Sequence, residues 1–235
     1  MMNLKKYKLQ VKCLNNMKNI LILLAALSLV ACKEGNIEST IPTDKEATAE
    51  ISKEEFAKNE KASFAHDVKI IDSLKSKFHI KKDEFDKSVW INHKAFGTKY
   101  WPNRCTLAVY IREDGSYYTQ SNYYGEDWVF HTNVQVKLGD EVFTSETIPT
   151  YSKNNIKDND GGQVWEVVQY TENTPDIAQA ISYYDGKGPV KIRFNGRQSS
   201  HDVVLSKSDR KAITESIMFA EALKGTFGKI GAPKI

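Results

Sequence analysis

Cysteine is scarce in this chain: 235 residues contain three, at positions 13, 32 and 105. Three thiols cannot build a four-cysteine zinc centre. Long apolar runs are missing too. A helix that spans a bilayer needs ~20 apolar residues, whereas the longest run here, Ile20 to Val30, has eleven and includes Ser28. Neither charge sign dominates, with 33 Lys and Arg against 30 Asp and Glu. The chain also lacks His-Glu-x-x-His, Gly-x-Ser-x-Gly and a glycine-rich phosphate loop, which leaves no recognisable enzyme motif. Its histidines, His66, His79, His93, His131 and His201, include no pair spaced as ligands on one helix.

The short apolar run is informative in another way. Lys18 precedes it and polar residues follow it. A charged start, a short apolar middle and a small residue before a cut describe a secretory signal peptide. A core helix would carry polar residues along one face, and this run does not. It ends in Leu29-Val30-Ala31-Cys32, which resembles the lipobox of bacterial lipoproteins. That resemblance implies cleavage before Cys32, lipid on its thiol and an acylated new N-terminus. Residues 1–31 are therefore expected to be a signal peptide, with Met17-Lys18-Asn19 as its compact start if translation begins at Met17. The expected location is a bacterial cell envelope, anchored by lipid in the outer membrane; the periplasmic and surface faces both stay open. Lys33-Glu34 resembles the Lys-led or acidic signals of surface-displayed lipoproteins.

Cleavage changes the charge argument. Residues 1–31 hold five lysines and no Arg, Asp or Glu, so 28 basic and 30 acidic residues remain, a formal charge of −2. Nucleic-acid binding calls for a basic domain or stripe, so no nucleic-acid partner is expected. Cys105 is left as a lone thiol in Arg104-Cys105-Thr106-Leu107, where buried filler is the expected role. The remaining 204 residues suit one domain and a tether.

Residues 32–53 are polar without an apolar period, as in a flexible tether. Over 54–79 the pattern turns helical, with Val68, Ile71 and Leu74 recurring beside Ile70, and predicts a stalk. Residues 80–228 are expected to form a sheet domain and 229–235 a tail. Leu107, Val109 and Ile111 alternate with Ala108, Tyr110 and Arg112. Trp128, Phe130, Thr132, Val134 and Val136 alternate with Val129, His131, Asn133, Gln135 and Lys137, which places His131 on a wet face. Leu138-Gly139-Asp140-Glu141 and Asn195-Gly196 predict hairpins. Thr174 as cap, Pro175 and the Ile177, Ile181 and Tyr184 face predict a short helix ending at Gly186. Ser206 and Asp209 predict the cap of a last helix, with Ile213, Ile217, Ala220 and Leu223 inward and Gly225 as its stop. The expected class is α+β: an antiparallel β-sandwich or half-barrel with a short internal helix and a packed C-terminal helix, preceded by a helical stalk.

Residues 88–223 resemble an uncharacterised β-rich domain of secreted bacterial proteins. The likeness lies in Tyr123-Tyr124, Trp128 and Phe130, in Asp160-Gly161-Gly162 with Trp165-Glu166, in Val190 to Gly196, and in Leu205-Ser206 with Ala212-Ile213. It implies a fold and carries no active site.

Two groups of residues are candidates for chemistry. Asp158 and Asp160, ahead of Gly161-Gly162, begin like a calcium loop. In a twelve-residue frame set by Gly161, however, the end positions are Ile156 and Val167, which lack the oxygens required. A surface turn is the competing reading. Tyr117, Tyr118, Tyr123 and Tyr124 form the other group. Neighbouring tyrosines on a strand face opposite sides, so one of each pair is available to stack on a sugar or a protein. Trp90 and Trp128 are expected in the core. The leading functional expectation is a non-catalytic binding or interaction module held to a bilayer through Cys32, with no cofactor beyond its covalent lipid. The alternatives are a surface glycan binder, and an envelope hydrolase using His131 or His201 with a nearby carboxylate. Whether the partner is a protein or a glycan stays open.

Overall fold

The computed structural model describes residues 45–97, 102–171, 176–197 and 199–235. The segment expected to be a signal peptide, with Met17, and Cys32, Thr174 and Pro175 lie outside the described residues. The chain forms two units, residues 1–54 and 55–235, and every described strand belongs to the second.

Helix α1, Lys45–Leu74, starts within the segment expected to be a tether. Its Ile70, Ile71 and Leu74 are buried, as the apolar period predicts. A short 3-10 turn follows, and then strand β1, Phe78–Lys82, whose first two residues fall in the segment expected to be helical. The strands that follow are β2 Val89–His93, β3 Thr106–Arg112, β4 Tyr117–Gly125, β5 His131–Leu138, β6 Glu141–Thr144, β7 Asn155–Asp160 and β8 Gln163–Tyr170. Helix α2, Ile177–Tyr183, precedes β9 Val190–Gly196 and β10 Ser200–Val204, and helix α3, Lys207–Thr226, is the last.

The strands make two antiparallel sheets, a six-stranded one ordered β1-β2-β3-β4-β8-β7 and a four-stranded one ordered β10-β9-β5-β6. This is the expected α+β sandwich with a helix at its C-terminal end. One face of the large sheet is its inner face. The registers Ile80↔Ile91, Ile91↔Ile111, Val109↔Thr119 and Leu107↔Ser121 put these side chains on one side. Over β1–β3 that side packs on α3, where Phe78 stacks on Phe219 with ring centroids 4.4 Å apart. Over β4 and β8 it packs on the small sheet, where Tyr123 meets Phe194 edge-on at 5.8 Å.

The local signals act mostly as expected. Gly139 has a positive φ in the β5–β6 turn, across which Leu138 pairs with Glu141. Ser206 caps α3, its Oγ accepting from Asp209 N at 3.0 Å. Ser206→Ala is expected to cost about 1 kcal/mol of stability, the usual worth of such a cap, measured by urea unfolding. Three details differ. Asp176 caps α2, its Oδ1 accepting from Ala178 N and Gln179 N at 3.0 Å each. The β9–β10 turn lies one step past Asn195-Gly196, because Asn195 already pairs with Ser200 and Gly196 N donates to Ser199 O. Helix α3 runs through Gly225 to Thr226, so this glycine is not a stop.

Candidate functional site

The two sheets meet at a buried polar chain that runs through His131. The backbone leaves β4, passes Trp128 to Phe130 and enters β5 in the other sheet. Phe130 has φ 55°, and the β5–β9 register shifts between His131 and Asn133. That irregularity turns His131 inward, so it is fully buried rather than on the wet face. Its Nδ1 lies 2.9 Å from Glu166 Oε2 and its Nε2 lies 2.8 Å from Ser121 Oγ. Ser121 Oγ in turn lies 2.8 Å from the Tyr170 hydroxyl. A carboxylate only accepts, which fixes the direction of the chain. Tyr170 donates to Ser121, Ser121 to His131 Nε2, and His131 Nδ1–H to Glu166.

Glu166 also gathers the crossover backbone. Its Oε1 accepts from Val129 N and Phe130 N, both at 2.7 Å, and its Oε2 accepts from His131 N at 2.6 Å. Burial pushes the carboxyl up, but the hydrogen bonds from His131 and the backbone donors outweigh it and hold Glu166 below the ordinary range. Burial pushes His131 down more than Glu166 lifts it, so the imidazole is neutral. Ser121, His131 and Glu166 follow the order of a serine–histidine–acid relay. Ser121 is 0% exposed, though, so no substrate carbonyl reaches its Oγ in this conformation. His201 is exposed, and its ring lies against Tyr123, with centroids 5.2 Å apart. The carboxylate beside it, Asp202, is held by Arg193 at 2.6 and 2.7 Å. Cys105 is partly buried among core side chains, and burial pushes its thiol above the ordinary range.

The four tyrosines divide between the faces of the large sheet. Tyr117 and Tyr123 face inward. Tyr117 gives its hydroxyl to Asp176, and Tyr123 donates to Asp127 O at 2.9 Å. Tyr118 and Tyr124 lie on the opposite, outer face and are half-buried. Tyr118 stacks on Tyr110 at 5.1 Å and meets Trp90 at 5.9 Å. The Arg112 guanidinium sits 4.6 Å from the centre of the Trp90 ring. Tyr124 lies 5.3 Å from Trp165, whose Nε1 donates to Asn103 Oδ1 at 3.2 Å. Between these ring groups runs a row of amides. Gln169 Nε2 donates to Gln120 Oε1 at 3.4 Å, and Gln120 Nε2 donates to Asn122 Oδ1 at 2.8 Å. Gln120 and Asn122 are buried, and Asn122 Nδ2 has no hydrogen-bond partner. Trp90 is thus half-buried on the outer face rather than in the core, and Trp128 is half-buried against Phe130 at 5.4 Å.

Asp158 and Asp160 are exposed on edge strand β7. Gly161 and Gly162, with φ 56° and 79°, form the two-residue turn into β8, as a type I′ hairpin requires. The segment is a hairpin rather than an open loop, and no group of three His, Cys, Asp or Glu suited to a metal occurs among the described residues. No described helix is long and apolar enough to cross a membrane.

Ser121, Glu166 and Tyr170 do not stand out as site residues in the sequence pattern. Glu166 left a usable signal, a lone carboxylate inside the apolar strand Val164 to Val168. Ser121 and Tyr170 left none.

The architecture defines a two-sheet α+β domain. No family model, curated protein or solved structure matches the chain.

Proposed function

We propose that this chain is a lipid-anchored protein of a bacterial envelope that binds a ligand on the outer face of its six-stranded sheet and performs no catalysis. The arrangement of that face carries the reading. Trp90, Tyr110 and Tyr118 stand on one side of the Gln169–Gln120–Asn122 amide row, and Tyr124 and Trp165 stand on the other. Tyr118 and Tyr124 are six residues apart on one strand, a span of ~20 Å. Tyr and Trp offer an apolar ring with a polar tip; these rings are half-buried, whereas Gln120 and Asn122 are buried and form the floor between them. Sugars present the matching chemistry, apolar ring faces bordered by hydroxyls, so a glycan is the favoured ligand. The full burial of Ser121 supports the non-catalytic part. The anchor rests on the Leu29 to Cys32 sequence alone.

Two experiments test these parts separately. Labelled palmitate fed to bacteria expressing the full chain is expected to enter the protein. Cys32→Ala is expected to abolish the label and move the protein out of the membrane fraction. Label that survives the substitution overturns the anchor. For the ligand, the full chain is expected to bind members of a broad glycan array. Trp90→Ala or Trp165→Ala is expected to weaken that binding at least tenfold, or ~1.4 kcal/mol. A blank array overturns the glycan assignment.

A further inference from the structure

Helix α1 docks on the domain with a stripe that contains a carboxyl group. Phe64, Asp67, Ile71 and Leu74 are spaced three, four and three residues apart, which places them on one side of the helix. Ile71 and Leu74 are buried, and Asp67 is half-buried. Asp67 rests on the last turn of α3. A methyl group built on Gly225 would lie 2.1 Å from Asp67 Oδ2 and 3.0 Å from its Cγ. Glycine at 225 is what lets the carboxyl group approach so closely.

An ionised carboxylate is poorly placed there. The C-terminal end of a helix carries partial negative charge and carbonyls without intrahelical partners. A carboxylate is repelled by such an end, whereas a neutral carboxylic acid is not. Glu221, one turn earlier on α3, adds a negative charge facing Asp67. Behind Glu221 the junction is occupied rather than free. Glu221 accepts the Tyr183 hydroxyl and, at 3.4 Å, Gln179 Nε2, and Tyr117 holds Asp176 nearby. The basic groups facing Asp67 are His66 on its own helix and Lys229 after α3. Lys229 is shared, lying 3.5 Å from Glu60 Oε1 and 5.9 Å from the Phe64 ring.

We propose that Asp67, seated on the C-terminal end of α3, is a proton-operated latch that docks residues 55–74 of α1 in acid and loosens them as pH rises. Burial supports this by pushing the Asp67 carboxyl up to about 6, against the opposing pull of His66 and Lys229 and with help from Glu221. The raised value belongs to the docked state. Its contribution is complete below the ordinary carboxylate value of 3.8, falls as pH rises through about 6, and is gone above it.

Hydrogen exchange of the full chain at pH 5 and pH 8, corrected for intrinsic exchange rates, tests the latch. Amides of β3 serve as the internal reference for global opening. The opening equilibrium of residues 55–74 is expected to rise by up to about tenfold between the two pH values, the figure that a shift from 3.8 to about 6 gives before solvent screening at a half-buried group lowers it. Asp67→Asn is expected to flatten the profile, His66→Gln to keep it with its midpoint moved up, and Glu221→Gln to move its midpoint down. Flat protection of α1 in the unsubstituted chain overturns the proposal. So does a pH dependence that survives Asp67→Asn or disappears with His66→Gln. Should Asp67→Asn undock the helix at both pH values, an unmoved midpoint in Glu221→Gln overturns it as well.

Discussion

Glu166→Gln is expected to lower the unfolding free energy by about 2–6 kcal/mol, the cost of leaving two buried donors unsatisfied at about 1–3 kcal/mol each. Four donors converge on this carboxylate: three backbone N–H groups and His131 Nδ1. A glutamine keeps one acceptor oxygen. If that oxygen serves Val129 and Phe130, the new NH₂ group faces two donors at His131. Flipping the amide only moves the conflict to Val129 and Phe130. Either way donors are left unsatisfied in a site with no solvent exposure, which is the expensive case. Urea unfolding measures the loss directly. The pH dependence checks its origin. Glu166 and His131 are both held below their ordinary values. Each therefore supplies stability that is present above its unfolded-state value and is lost as pH falls through the folded one. The unsubstituted chain is expected to weaken in acid from about pH 6.5 downward, and Glu166→Gln to lose the carboxyl share of that slope. A loss under 1 kcal/mol with an unchanged acid slope would show that the network holds little.

Gly196→Ala is expected to cost about 3 kcal/mol, at the upper end of ordinary overpacking. A Cβ at this position would sit 1.8 Å from Val129 O and 2.6 Å from Val129 C. The obstacle is backbone, so no side-chain rotation relieves it. That backbone is also fixed from its other side, because Val129 N donates to Glu166. Gly196 itself pairs with His131 at the end of β9. The crossover is thus pinned between a glycine and a carboxylate. A loss of this size lowers the melting temperature by ~6–12 °C for a domain of this length, which calorimetry resolves. Because the two sites share the 129–131 segment, the double substitution is expected to cost less than the sum of its parts.

The sequence pattern conveys the fold where the backbone is regular and misleads where it is not. The parity of β3 and β4 separates Tyr118 and Tyr124 from Tyr117 and Tyr123, and the registers place them on opposite faces as that parity predicts. On β5 the same argument works for Val134 and Val136 but fails for His131. A positive φ at Phe130 and the register shift after His131 insert one irregular step, which sends every earlier residue to the other face. Periodicity does not register such a step. Strand β1 escaped for a related reason: Phe78 follows a helical stripe directly, and only its pairing with His93 marks it as extended. Asn195-Gly196 is a strong turn signal, yet the turn falls after it, because Gly196 serves close approach to Val129 rather than chain reversal. The buried polar chain was hardest to read. Its members lie on β4, β5 and β8, and no spacing along the chain brings Ser121, His131, Glu166 and Tyr170 together.

Two open sheets leave four outer strands, each with a row of backbone groups able to recruit another strand. Here those borders are guarded. Strand β1 ends in exposed Lys81-Lys82, β7 ends in exposed Asp158-Asn159-Asp160, β10 carries exposed His201 and Asp202, and β6 is only four residues long. A second copy zipping onto β1 or β7 in antiparallel fashion would bring like charges together. The charges on these strands thus act as deterrents against fibre-like edge-to-edge self-association.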